Sequence, residues 1–391
     1  MNLKSFTSIR DPFVDALRAL ALLGVFIVNA MGYPSAPNYP MPLGVPSPLD
    51  STIAVWINGF LVAFVQGKAY PLLCFLFGYS LCSLAFQTNA DGSIVKSQLR
   101  VRYKKLLLIG ILHGAFVYFG DVLTVYAICG LIASKWVRYK PAHLLNIFKK
   151  LTIAIVILFS ILAIGGLGIW IDAKNNQIRI VKEMLENFMS VSNAKSLFLL
   201  NTKNYLYILL NMLLQLPIFL WLTVAGILAR RFQLFNLRRY ARYFWITHFS
   251  IWQFFIALFI NIVVGFFVSK FQFSGVAGLS NLLLIELMNA PIVIWLIITT
   301  LALVMRRCHK VARFPDWVAW LAPAGKHTLA MYLTLSLTLL LSSGAYLGLT
   351  GSTPSRLFVV VIAWFSAILI AKYATTRGYR DPIATWLSAK S

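Results

Sequence analysis

Apolar runs of about 20 residues, the length an α-helix needs to cross a hydrocarbon core, recur from one end of this chain to the other. Ten such spans read off by hydropathy: 13–30, 52–86, 106–119, 122–134, 151–171, 205–229, 244–268, 281–305, 317–347 and 357–373. In lipid every backbone N–H and C=O needs a partner within the protein, so these runs are expected to be helices. Hydrophobic residues make up 60% of the 391 and charged ones 12%, which excludes a soluble globular domain. The expected fold is all-α: one polytopic membrane helical bundle over 1–391, about ten transmembrane helices, with the lipid bilayer as its surroundings. No small-residue cleavage site follows the first run, so it is read as part of the mature bundle.

Thirty-five Lys and Arg against 11 Asp and Glu give a net charge of +24. In a soluble chain that excess points to nucleic acid, but here the basic residues gather in short loops between spans, where they set orientation. One group holds Lys96, Arg100, Arg102, Lys104 and Lys105, and a second holds Lys135, Arg138, Lys140, Lys149 and Lys150. Arg230, Arg231, Arg238, Arg239 and Arg242 form a third, and Arg306, Arg307, Lys310 and Arg313 a fourth. With ten spans all four fall on one side, which predicts that both termini are cytoplasmic. No nucleic-acid partner is expected. The four cysteines lack metal-ligand spacing and read as small buried hydrophobes.

Three segments depart from simple spans. The run 52–86 is too long for one straight helix and is interrupted by Gly67, Lys68 and Pro71, which predicts a broken span with Lys68 near mid-membrane. The stretch 106–134 must cross twice in about 29 residues, giving helices of ~20 Å where ~30 Å is needed. This short hairpin is expected to bury its Gly120–Asp121 turn inside the bundle. The segment 172–204 reads as an external connection, within which Ile180, Val181, Met184, Leu185 and Phe188 recur at the spacing of a short amphipathic helix.

Ionisable groups inside the spans are few, and each is a functional candidate. Asp15 and Arg18 lie three apart, on one helix face, so they can pair as an anchor or leave Arg18 to take a phosphate or carboxylate. Asn29 closes the same span. His113 and Asp121, eight apart, can share one cavity, the carboxylate orienting an imidazole as a general base requires; a structural polar pair is the alternative. Glu286 precedes Pro291 in another span and can face the same cavity. With five His and no clustered ligands, no metal site is expected, nor any permanently bound cofactor.

The blocks VDALRALALLGVFIVNA, GKAYPLLCFLFGYSL, ILHGAFVYFGDVLTVYAICGLI, GKHTLAMYLTLSL and RDPIATWL follow one another in the order and spacing of the YeiB-like family, which the chain resembles over nearly its whole length. That resemblance implies a bacterial inner (plasma) membrane protein. The first block is also distantly similar to the openings of two transmembrane acyltransferase families, those acting on surface glycans and the heparan-α-glucosaminide N-acetyltransferases. These pass an acyl group from cytoplasmic acyl-CoA to a sugar across the membrane. The resemblance implies a CoA-phosphate contact at Arg18 and a cavity role for Asn29. Those families carry a base where this chain has Asn29 or in the loop that follows, and neither place holds a His here.

Two readings of function follow. In the first, acyl-CoA is a cosubstrate held by Arg18 with Arg100 and Arg102, and His113, oriented by Asp121, deprotonates a glycan or lipid-linked acceptor. In the second, the protein is a transporter or permease for a small polar molecule, with Lys68, Asp121 and Glu286 as binding or gating groups.

Overall fold

The computed structural model describes residues 11–32, 56–57, 60–61, 63–87, 99–161, 193–237, 239–273, 279–343, 346–347, 349, 353–379 and 381–388, with side chains omitted at 207, 211, 239–240, 264–273, 279–289, 353 and 388. All of the regular structure among them is helical. In chain order the helices are α1 (Pro12–Gly32), α2 (Ala69–Ala85), α3 (Leu99–Phe116), α4 (Leu123–Trp136), α5 (Pro141–Ile161), α6 (Ala194–Leu214) and α7 (Leu216–Arg231). They continue as α8 (Arg239–Thr247), α9 (Ile251–Phe273), α10 (Leu279–Val311), α11 (Asp316–Lys326), α12 (Thr328–Ser342), α13 (Thr353–Thr376) and α14 (Pro382–Ser388).

Five helices among the described residues are long and apolar enough to span a membrane: Pro12–Met31, Pro141–Ile161, Ala194–Leu214, Ala290–Val311 and Pro354–Thr376. A sixth arises if Ala241–Thr247 and Ile251–Val263, bent by 61°, count as one. The expected count of about ten is not confirmed among the described residues, where breaks shorten several of the other runs. The long run 52–86 breaks at residues 65–68, where Gly67 takes a φ of 74°. The α2 that follows has 17 residues, and α4 and α12 have 14 and 15. At 1.5 Å per residue these reach only ~21–26 Å. The single span expected at 205–229 is two helices, α6 and α7, meeting at Gln215, with Pro217 set in the first turn of α7, where no intrahelical N–H is needed. The run 317–347 likewise divides at His327. Of the external connection expected at 172–204, residues 172–192 lie outside the described ones, and the remainder begins α6, capped by Asn193.

The outer surface is that of a membrane protein. On α5 the side chains of Ile153, Val156, Ile157 and Ile161 are exposed, and on α13 so are Phe358, Val361, Ile362, Phe365, Leu369 and Ile370. In water such continuous apolar faces would be strongly unfavourable; against lipid they are at home. Inside, where lipid offers no hydrophobic drive between helices, close backbone approach does the packing. Helix α2 crosses α7 with Gly78 on the Thr223 carbonyl and Gly226 on the Phe75 carbonyl, leaving no room for a Cβ at either. Gly325 of α11 lies in the same way on the backbone of Asp15 in α1. Helices α1, α2, α3, α4, α7, α11, α12 and α14 line one cavity.

Candidate functional site

One polar cluster lines that cavity, which has a volume of about 540 Å³, and a second lies behind its wall at Tyr332. The first grows from the start of α1. Asp11 caps the helix, its Oδ1 accepting the N–H groups of Phe13 (3.1 Å) and Val14 (3.4 Å). Its Oδ2 accepts from the Tyr79 hydroxyl at 2.9 Å, and Arg230 Nη1 lies 3.4 Å from that hydroxyl. Burial pushes the Asp11 carboxyl up, against the pull of the Tyr79 hydrogen bond, the helix N–H groups and the Arg230 charge. One turn further along α1, Asp15 is buried and pairs with Arg18, whose guanidinium also donates to Ser80. Asp11, Asp15, Arg18 and Leu22 form a single face of α1 along the cavity wall, with Arg102, Arg230 and Lys326 contributed by other helices.

The wall changes character along its length. Polar groups Arg18 on α1, Ser80 on α2 and Arg102 on α3 are followed one turn away from the charged end by Leu22, Phe77 and Leu106, although Leu84 and Phe86 also line the charged end. Tyr332, Val122, Leu123 and Tyr126 line this apolar part.

Behind Tyr332 lies the second cluster. His113 and Asp121 are 3% and 1% exposed, so neither meets solvent. His113 Nδ1 is 2.9 Å from Asp121 Oδ1. Asp121 Oδ2 accepts both the backbone N–H and the hydroxyl of Thr124 at 2.9 Å each, which ties the carboxylate to the first turn of α4. Thr124 Oγ1 in turn meets the Tyr205 hydroxyl of α6 at 2.9 Å. The Tyr332 hydroxyl donates to Asp121 Oδ1 at 3.4 Å, and its ring centroid is 4.9 Å from that of His113. The other ring nitrogen of His113, Nε2, is buried with no hydrogen-bond partner among the described residues. The local sequence permits this crowding: a Cβ at Gly110 would strike Thr124, and one at Gly114 the Tyr205 ring.

The structure thus brings His113 next to Asp121, and Arg18, Asp15 and Arg102 to one cavity. It does not bring in the others. Arg100 is exposed and does not line the cavity. Lys68 is buried at the start of α2, and Asn29 is buried toward the opposite end of α1 from Asp11; neither lines the cavity. Glu286 falls within α10, but its side chain is not among those described. Sequence reasoning missed Tyr332, Tyr205, Tyr79, Asp11 and Asp381, the last lining the cavity from the chain's final helix region, 3.6 Å from His327. The Asp11–Asp15–Arg18 spacing was a usable signal for one of them. Among the described residues no group of three or more His, Cys, Asp or Glu is placed to hold a metal, and all four cysteines are buried and free.

No protein-family profile and no solved structure matches the chain. Curated relatives do. YeiB of Escherichia coli K12 is 31% identical over 136 residues, 34% of this chain and 32% of its own length. The likeness is to YeiB-like proteins. YxaH of Bacillus subtilis strain 168 is 26% identical over 202 residues, 49% of this chain and 48% of its own. A 39.9 kDa protein from the amylase 3′ region of Bacillus acidopullulyticus is 32% identical over 135 residues, 34% and 36% of the two lengths. The chain spans about a third to a half of the length of the curated relatives it matches. All three are named as uncharacterized proteins; they support the YeiB-like resemblance and do not bear on the acyltransferase one.

Proposed function

We propose that this membrane protein transfers an acyl group from cytoplasmic acyl-CoA to a hydroxyl or amine of a glycan or lipid-linked acceptor on the far side of the membrane. It would sit in the inner (plasma) membrane with both termini cytoplasmic. The observation that carries the reading is the cavity itself: cationic side chains at one end, and at the other Tyr332 backed by a buried His–Asp pair whose Nε2 has no hydrogen-bond partner among the described residues. Arg18, Arg102, Arg230 and Lys326 suit the phosphates of CoA, and the apolar stretch suits a thioester shielded from water. His113 takes the acceptor's proton as its oxygen or nitrogen attacks the thioester carbon. The C–S bond breaks, an ester or amide forms, and the proton passes to the departing CoA thiolate. Asp121 keeps the imidazole in the required tautomer throughout.

The test is acetyl-CoA binding to purified wild type, Arg18→Ala and His113→Ala, followed by thiol release with candidate glycan acceptors. Arg18→Ala should weaken binding by roughly 10–150-fold, the ~1.5–3 kcal/mol of a charge-assisted contact. His113→Ala should bind normally and turn over ~10²–10⁴-fold more slowly. Wild type that binds no acetyl-CoA at millimolar concentration would end the enzyme reading.

A further inference from the structure

His113 and the cavity are neighbours that do not touch. Tyr332 lines the cavity and its ring lies against the imidazole, whereas neither His113 nor Asp121 is part of the cavity wall. The Tyr332 ring thus stands beside the imidazole at the cavity wall. We infer that the Tyr332 side chain is a movable partition, separating the cavity from the buried base and swinging aside to join them.

Three features favour a partition that moves over a fixed wall. The hydroxyl reaches Asp121 at 3.4 Å, at the long end of hydrogen-bond lengths, whereas Thr124 holds the same carboxylate twice at 2.9 Å. Asp121 thus stays in place when Tyr332 leaves. Next, the cavity already offers an apolar face, including Leu329 and Leu106, onto which a phenol ring can turn without meeting unpaired charge. Finally, Nε2 is buried without a partner among the described residues, a cost that a closed resting state carries and that an arriving acceptor group relieves. A base kept behind a door is also kept from water, which would otherwise hydrolyse a bound thioester. The meaning of the partition rests on His113 being a base, but its existence does not.

Diethyl pyrocarbonate, a small reagent that carbethoxylates unprotonated imidazole, tests it on the full chain without any substrate. Modification is followed residue by residue by mass spectrometry, with exposed His143 as the fast reference and buried His309 as the reporter of unfolding. In wild type and Tyr332→Phe, which keeps the ring, His113 should react far more slowly than His143. In Tyr332→Ala it should react at least about tenfold faster than in wild type, with His309 unchanged, as removal of a local barrier predicts. If the alanine variant also speeds His309, Tyr332→Leu decides by the same ratio. The inference fails if neither small variant accelerates His113, or if wild-type His113 already matches His143. Because no acyl-CoA is used, either failure leaves the acyl-transfer reading to its own test.

Discussion

Replacing Gly325 by alanine should loosen the fold and the charged end of the cavity together. A methyl at this position would stand 2.8 Å from the Asp15 Cα and closer still to its carbonyl group. Ordinary carbon contacts need ~3.5–4.0 Å, so α11 and α1 must part by an ångström or more. Side chains can turn out of the way, but backbone atoms cannot, so the cost belongs near the upper end of overpacking, about 3 kcal/mol. At ~2 °C per kcal/mol for a large domain, the unfolding midpoint should fall by about 6 °C. The displaced segment carries Asp15, so the Arg18 pair loses its geometry and acetyl-CoA affinity should fall as well. Gly67→Ala is the control, since its φ of 74° costs ~1–2 kcal/mol in any residue with a Cβ, yet no heavy atom lies within 4 Å of the added methyl. It should lower stability while leaving affinity alone. Intrinsic tryptophan fluorescence in lipid nanodiscs, at one fixed scan rate, gives the midpoints. Gly325→Ala with an unchanged midpoint would refute the close crossing of α1 and α11.

Asp121→Asn keeps the shape of the carboxyl but not its charge; turnover should drop ~10²–10⁴-fold with acetyl-CoA affinity unchanged, and full activity would rule out the orienting role. Lys105→Ala removes a 2.9 Å bond to the Trp386 carbonyl and a cation placed 5.0 Å from the Trp386 ring centre, so amide exchange should quicken in 381–388 and nowhere else; no change would show that α14 is held by other contacts. In a background with its four buried cysteines replaced, Lys195→Cys should react with an impermeant thiol reagent from the external side and Lys149→Cys only after permeabilisation. The reverse pattern would overturn the proposed orientation.

Much of the fold was legible because lipid imposes a simple code. Apolar length marks the helices, and Gly67 announces the break before α2. The spacing of His113 and Asp121 was equally readable, because both lie on one short hairpin whose geometry is local. Tyr205 and Tyr332 were not, because their places beside Thr124 and Asp121 depend on how α6 and α12 pack from 81 and 211 residues away, and no periodicity encodes that. Arg102 and Arg230 belonged to basic groups that positive-inside sorting alone would produce. Nothing in their neighbours in sequence separated them from Arg100, which stays outside the cavity. The break at His327 was hidden for a different reason: an apolar run continues on both sides of it, and hydropathy does not register a turn.

The scant burial of α5 means that most of its sequence is free to drift. Only 6% of its apolar stretch is buried, and its described side-chain links to α7 run through Trp221, which donates to Thr152 at 2.9 Å and stacks on Phe148 at 4.6 Å. Selection on Ile153, Val156, Ile157 and Ile161 can see oiliness but not shape, so any of the larger aliphatic residues should serve there equally well. Phe148 and Thr152 are different, because a substitution at either is noticed by a neighbour. Two proteins with the same architecture can therefore diverge along the lipid-facing side of this helix until little remains in common there beyond hydropathy, while buried Leu144 and the two positions that meet Trp221 stay constrained.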